Sequence, residues 1–119
     1  MWFYRQRTGE LFHGIEHIAT GYSGSAQGKN NPDMEAVHNI GPIPRGYWTI
    51  GKVLDGQATS PHSIPLYPFP TTNTFGRQLF FMHGDQLQHP GEASHGCLVL
   101  DAFTRGRLAE SSDKVLQVI

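Results

Sequence analysis

Short apolar runs separated by turn residues dominate the pattern of hydrophobic and polar positions along the chain. Glycines at 9 and 14 divide the N-terminal part into three such runs. Residues 47–54 alternate as a strand with one solvent-facing side does, whereas 79–82 is continuously apolar and typical of a buried strand. The pattern therefore predicts a β-rich fold. The predicted strands cover 2–7, 11–13, 17–22, 47–54, 78–83 and 114–119.

Helical and loop signals fill the remaining segments. Asp101 is placed to cap a helix that runs through residues 103–109, and residues 34–40 predict no more than a short helical turn. Residues 23–33 are rich in Ser, Gly and Asn and predict a loop. Residues 55–76 contain four prolines, which exclude a helix and disfavour a central strand, so they predict a second, long loop. The fold class is therefore mainly β with one helix.

Composition narrows the possible functions. A chain of 119 residues is predicted to form one domain, residues 1–119, around a single core. Nine basic and ten acidic residues give a net charge of −1 without a Lys/Arg block, which argues against nucleic acid as a partner. Because no apolar run has the length of a membrane span, no membrane insertion is predicted. The single cysteine excludes an internal disulfide.

The first seven residues do not resemble a secretory signal, because they lack its charged start, apolar middle and small-residue cleavage site. We therefore expect the protein to be made in the cytoplasm. If it acts outside, a route other than a signal peptide must deliver it.

The strongest chemical signal is a pair of motifs between residues 83 and 97. His83 and Gly84 end a predicted strand, and Ser94, His95, Gly96 and Cys97 follow after a short gap. A glycine next to a cysteine lets backbone N–H groups converge near the sulfur, where they would stabilise an oxyanion. A free cysteine is also commonly a small buried hydrophobe. The pattern alone leaves both interpretations open.

Two other classes of function remain possible from the residues alone. Zinc is a candidate cofactor because four residues are plausible ligands, although their spacing matches no common zinc signature; they are His83, His89, His95 and Cys97. A non-enzymatic peptidoglycan-binding or secretion-apparatus module would instead use exposed aromatic residues as a platform. Its candidates are Tyr22, Tyr47, Trp48 and Tyr67.

The two motifs together resemble the catalytic signature of the L,D-transpeptidases, the YkuD-like cysteine enzymes that process peptidoglycan stem peptides. Further segments resemble the small branch of that family known as type VI secretion effectors; they are 21–24, 29–32, 41–46 and 97–100. The resemblance covers nearly the whole chain. It implies an L,D-transpeptidase-like β-sandwich with one short helix after the catalytic cysteine.

The resemblance also implies catalytic roles for particular residues. Cys97 would be the nucleophile, held as a thiolate, and His83 its base, oriented by the backbone carbonyl of Gly84. The N–H groups of His95, Gly96 and Cys97 would form the oxyanion hole. No metal and no other cofactor is implied.

Substrate recognition departs from the family pattern at one position. Many members of the family have an arginine two residues after the cysteine, where this chain has Val99. Arg105 or Arg107 is the expected substitute, from the helix that follows. Ser94 and Tyr22 are the other expected substrate-binding residues.

The implied reaction is cleavage of the L,D-amide before the terminal D-alanine of tetrapeptide stems, or exchange of that residue for another D-amino acid. The expected substrate is therefore the peptidoglycan stem peptide. The resemblance further implies an antibacterial effector that acts in the periplasm of a target bacterium, with a secretion apparatus and an immunity protein as possible partners.

Overall fold

The computed structural model describes residues 1–54, 63–85, 91–92 and 94–119. Nine strands and one α-helix are present in these segments. The strands are β1 (Trp2–Tyr4), β2 (Glu10–His13), β3 (Glu16–Thr20), β4 (Tyr22–Ser23), β5 (Gly46–Ile50), β6 (Ile64–Pro68), β7 (Phe80–His83), β8 (Leu98–Val99) and β9 (Val115–Val118). The helix α1 (Ala102–Glu110) follows β8, and two short 3₁₀ turns cover Ala26–Gly28 and Pro32–Met34. The mainly β class with a single short α-helix after Cys97 is confirmed for the described residues.

All nine strands belong to one sheet, in the order β3-β2-β1-β9-β5-β6-β7-β8-β4. Its two outermost strands, β3 and β4, are joined in the chain by the single residue Gly21. The sheet must therefore curl until its two edges meet. At this junction the Gly21 N–H donates to Gly9 O at 2.8 Å. A Cβ at Gly21 would lie 1.9 Å from Val99 O, so only glycine fits here.

The hydrophobic core lies inside the curled sheet. Trp2 and Trp48 are almost fully buried, and their indole N–H groups donate to the backbone carbonyls of Asp113 and Pro44, both at 3.1 Å. Leu108 of α1 packs into the same core. Met82 and Leu98 are fully buried where β7 meets β8, so the strand pair that carries the motif residues is anchored in the core.

The expectation of a loop over residues 55–76 is wrong for its described middle part. Residues 64–68 form β6, which lies between β5 and β7 despite Pro65 and Pro68. A proline removes one ladder donor, worth about 0.5–1.5 kcal/mol, but its carbonyl still accepts: the Gly51 N–H donates to Pro65 O at 2.9 Å. Burying Ile64 and Leu66 contributes about 1.5–3 kcal/mol each, which outweighs that loss.

Other boundaries differ from the sequence predictions in smaller ways. The first predicted strand is shorter than 2–7, and the helical turn expected over 34–40 is a succession of turns preceded by a 3₁₀ turn. The α1 boundary agrees with the prediction, because Asp101 Oδ1 accepts the Thr104 N–H at 2.8 Å. No helix in the described residues is long and apolar enough to cross a membrane.

Candidate active site

Parallel pairing of β7 with β8 brings the two motifs together. Met82 lies opposite Leu98, and His83 lies opposite Val99. Cys97 directly precedes β8. If the same register is continued by one residue, Cys97 lies opposite the β7 residue that is two positions before His83. Since side chains alternate between the faces of a sheet, both residues belong to the same face.

The His83 ring is oriented by its own backbone neighbour. Nδ1 lies 2.9 Å from Gly84 O and donates its hydrogen there, since a carbonyl only accepts. In the neutral ring this bond selects the tautomer whose Nε2 has a free lone pair and can accept a proton. The contact is the one that the sequence motif led us to expect for the Gly84 carbonyl.

The Cys97 thiol donates to the carbonyl of Leu79 at 3.7 Å and not to His83. Burial raises the pKa of the thiol, and this effect exceeds the opposing influence of the Phe81 backbone N–H and of the Arg77 charge. Burial therefore favours the protonated thiol in this arrangement. A base is consequently needed to make it nucleophilic. The thiolate implied by the resemblance stays a prediction.

Leu79, which accepts from the thiol, has an unusual backbone. Its φ is +65°, in the left-handed region that branched side chains rarely adopt, and its side chain is 78% exposed. Such strain is found preferentially at functional sites. Here it turns the Leu79 carbonyl towards Cys97 and leaves an apolar side chain at the mouth of the site.

Ser94 holds the loop that carries Cys97. Its buried hydroxyl donates to Cys97 O at 2.6 Å and accepts the N–H groups of Gly24 and Gly96 at 2.9 and 3.1 Å. One donor and two acceptor positions are the full capacity of a hydroxyl. Ser94 is therefore engaged within the protein instead of facing a substrate. The Gly96 N–H is engaged too, which leaves the N–H groups of His95 and Cys97 as oxyanion-hole candidates.

A cavity of about 370 Å³ opens beside Cys97. Its walls come from three segments: 38–39, 76–80 and the Cys97 loop 95–97. His38, Asn39 and Arg77 are polar lining residues that the sequence analysis did not single out as site residues. No local motif marks them, because they reach the site only through the folding of distant segments.

The sequence also matches a known protein family. A family model described as the Tlde1 domain matches residues 17–117, which is most of the chain. The chain belongs to the Tlde1 domain family. These are type VI secretion effectors with an L,D-transpeptidase-like domain, so the effector family predicted from the motifs is confirmed, and peptidoglycan is the indicated target. The YkuD-like branch stays a prediction. Searches of curated proteins and of solved structures found no match.

Two of the expected substrate-binding residues of this Tlde1 domain lie away from the Cys97 cavity. Arg105 and Tyr22 line a different cavity, of about 470 Å³, next to Gly84. The Arg105 guanidinium donates to Leu100 O, and the Tyr22 hydroxyl donates to Asp85 Oδ1 at 2.5 Å.

Neither of the arginines expected to replace the family residue missing at Val99 lines the Cys97 cavity. Arg107 lies 4.0 Å from Glu16, and Arg105 lies beside Gly84 and lines the other cavity. Their role in substrate recognition stays a prediction. Arg77 is the arginine that lines the Cys97 cavity.

The zinc alternative for the Tlde1 domain rests partly on His89, which lies outside the described residues. Among the residues that are described, no three His, Cys, Asp or Glu side chains lie close enough to share a metal ion. The chelator experiment below addresses this alternative directly.

Proposed function

We propose that this Tlde1 domain is a cysteine-dependent enzyme that cleaves the L,D-amide before the terminal D-alanine of tetrapeptide stems. The carrying observation is the arrangement at the ends of β7 and β8, where the Cys97 thiol, which lines a cavity, and an imidazole oriented by a backbone carbonyl lie on the same face of the sheet. Family membership supports peptidoglycan as the target.

Catalysis begins with a proton transfer from the Cys97 thiol to His83 Nε2. This requires the Cys97 side chain to leave the Leu79 carbonyl and rotate towards His83, an adjustment common in sites observed without substrate. The sulfur then attacks the carbonyl carbon of the scissile amide. The resulting oxyanion accepts hydrogen bonds from the N–H groups of His95 and Cys97, and one such donor is worth roughly 3 kcal/mol.

Collapse of this intermediate breaks the C–N bond. The His83 imidazolium gives its proton to the leaving nitrogen, so D-alanine departs as an amine and a thioester remains on Cys97. Water, deprotonated by His83, then cleaves the thioester to give a tripeptide stem and the free thiol. An amine in place of water gives exchange or transpeptidation by the same steps.

The non-enzymatic alternative loses part of its basis. Trp48, one of the four aromatic residues considered for a platform, is fully buried and belongs to the core. Tyr47 and Tyr67 are exposed but lie on β5 and β6, outside the Cys97 cavity. A purely binding function would also not require the hydrogen bond by which the Gly84 carbonyl orients the His83 ring.

Incubation of the protein with purified disaccharide tetrapeptides, followed by mass spectrometry, tests the proposed reaction. We expect tripeptide stems and one free D-alanine per cleaved bond. Addition of D-methionine should divert part of the product into stems that end in methionine, if the site admits an amine. Unchanged tetrapeptides after prolonged incubation with folded protein would contradict the proposed reaction.

Chelation and alkylation should have opposite effects on this activity. Extensive treatment with EDTA should leave turnover unchanged, because every proton and bond in the proposed steps is handled by Cys97 and His83. Iodoacetamide should abolish turnover by alkylating Cys97, the only cysteine. Loss on chelation with recovery on adding zinc would instead favour the zinc alternative.

A further inference from the structure

Arg77 is a buried cation whose hydrogen bonds connect two walls of the Cys97 cavity. Its side chain is only 6% exposed. Nη1 donates to Glu35 O and Pro42 O at 2.5 and 2.7 Å, and Nη2 donates to Gly41 O at 2.9 Å. The guanidinium thus spans the 35–42 segment from one end to the other.

The 35–42 segment is a wall of the cavity without regular secondary structure. It contributes His38 and Asn39 to the lining. A contact between His38 Nε2 and Phe75 O at 3.0 Å joins it to the residue before the 76–80 wall. The Ser25 N–H also donates to Ile40 O at 2.9 Å. Because the segment lacks a strand or α-helix of its own, its position depends on such cross-links, and Arg77 supplies three of them.

The same guanidinium lies against the loop that carries the nucleophile. A Cβ on Gly96 would stand 2.2 Å from Arg77 Nη2, so the loop backbone passes directly over the cation. Gly96 has a φ of +126°, a conformation that favours glycine. Gly96 therefore makes room for Arg77 beside Cys97.

We propose that Arg77 is a positioning residue of this active site, which fixes the 35–42 segment against the Cys97 loop and supplies the positive charge that faces the forming thiolate. The inference rests on the proposed function in one respect, namely that Cys97 is the reacting thiol. Arg77 lies outside the sequence motifs, which assign no role to it.

The electrostatic part of this role follows from the groups around the thiol. Arg77 is the permanent cation beside the thiol; the other titratable groups on the packed segments are Glu35, whose charge also acts on Arg77, and His38, His95 and His83. The Arg77 charge lowers the pKa of Cys97 and partly offsets the effect of burial. Without that charge, the thiol should ionise only at higher pH.

Two substitutions separate the charge from the hydrogen bonds. Arg77→Met removes both, whereas Arg77→Lys keeps the charge but cannot reach three carbonyls with a planar fork. Arg5→Met is the matched control, since Arg5 contacts Glu10 at 3.8 Å and neither touches the 35–42 segment through that pair nor lines the cavity. Circular dichroism and thermal melting establish that each variant is folded.

The rate of iodoacetamide alkylation is measured against pH without peptidoglycan, and stem cleavage is measured separately. For Arg77→Met we expect roughly three- to tenfold slower alkylation at pH 7 and a midpoint shifted to higher pH. Arg77→Lys should keep a midpoint near that of the wild type yet turn over stems several-fold more slowly. Arg5→Met should match the wild type in both assays.

A folded Arg77→Met protein with the wild-type alkylation profile would overturn the proposal. If that variant does not fold, Arg77→Lys decides, and wild-type turnover in it would overturn the positioning role. Shifted alkylation profiles together with a wild-type protein that cleaves no stems would instead contradict the proposed function, so the two failures are distinguishable.

Discussion

Replacing Cys97 with serine should abolish cleavage of tetrapeptide stems while leaving the fold intact. Serine has nearly the same shape, but its hydroxyl ionises far less readily than a thiol. The expected loss is on the order of 10⁴-fold or more, as for removal of other covalent nucleophiles. The measurement is stem cleavage by mass spectrometry, with circular dichroism and thermal melting as controls for folding.

His83→Ala should be nearly as damaging, with a loss of about 10²- to 10⁴-fold, the usual contribution of a positioned base. Its residual rate should rise with pH. Burial raises the pKa of Cys97, so increasing pH through that raised value supplies thiolate without the base. His17→Ala is the matched control, since His17 lies on the outer strand β3 and contacts Thr20 at 3.0 Å.

Two outcomes would contradict these assignments. Stem cleavage by folded Cys97→Ser protein at the wild-type rate would exclude the thiol as the nucleophile. If His38→Ala or His95→Ala lost stem cleavage that was recovered at high pH, and His83→Ala turned over normally, the base would instead be one of the histidines that line the cavity.

Sequence patterns correctly predicted the elements that are determined by residues close together in the chain. The continuous apolar run of β7 and the cap at Asp101 each specify structure within a few residues, and both agree with the sequence prediction. By contrast, β6 contains two prolines that argue against a central strand. It forms because its apolar residues are buried between β5 and β7, which no local rule reports. Closure of the sheet likewise depends on contacts of Gly21 with distant residues.

The candidate site divides in the same way. The sequence motifs and the family resemblance led to Cys97, His83 and the Gly84 carbonyl. In the fold, His83 ends β7, Gly84 follows it, and Cys97 directly precedes β8, which pairs with β7. The motif could not reveal that the Ser94 hydroxyl is fully hydrogen-bonded within the protein, since one of its partners is the distant Gly24. Nor could it reveal Arg77, whose proposed role rests on contacts across the fold.

Export of the protein to the periplasm should make it toxic to a Gram-negative host, whereas expression in the cytoplasm should be harmless. The proposed substrate lies outside the cytoplasmic membrane, so only the exported form meets it. The comparison uses this chain with and without a fused export signal, at matched protein levels. Growth and cell shape are followed by optical density and microscopy.

The injury should depend on the thiol, because a binding module would act with or without it. Exported Cys97→Ser protein is therefore the matched control and should leave growth normal. Muropeptides from cells that express the active form should show fewer tetrapeptide and more tripeptide stems, since water is always present to resolve the Cys97 thioester. Equal toxicity of the cytoplasmic and exported forms, or an unchanged stem profile in dying cells, would refute a cell-wall target, because the proposed chemistry links the damage to cleaved stems.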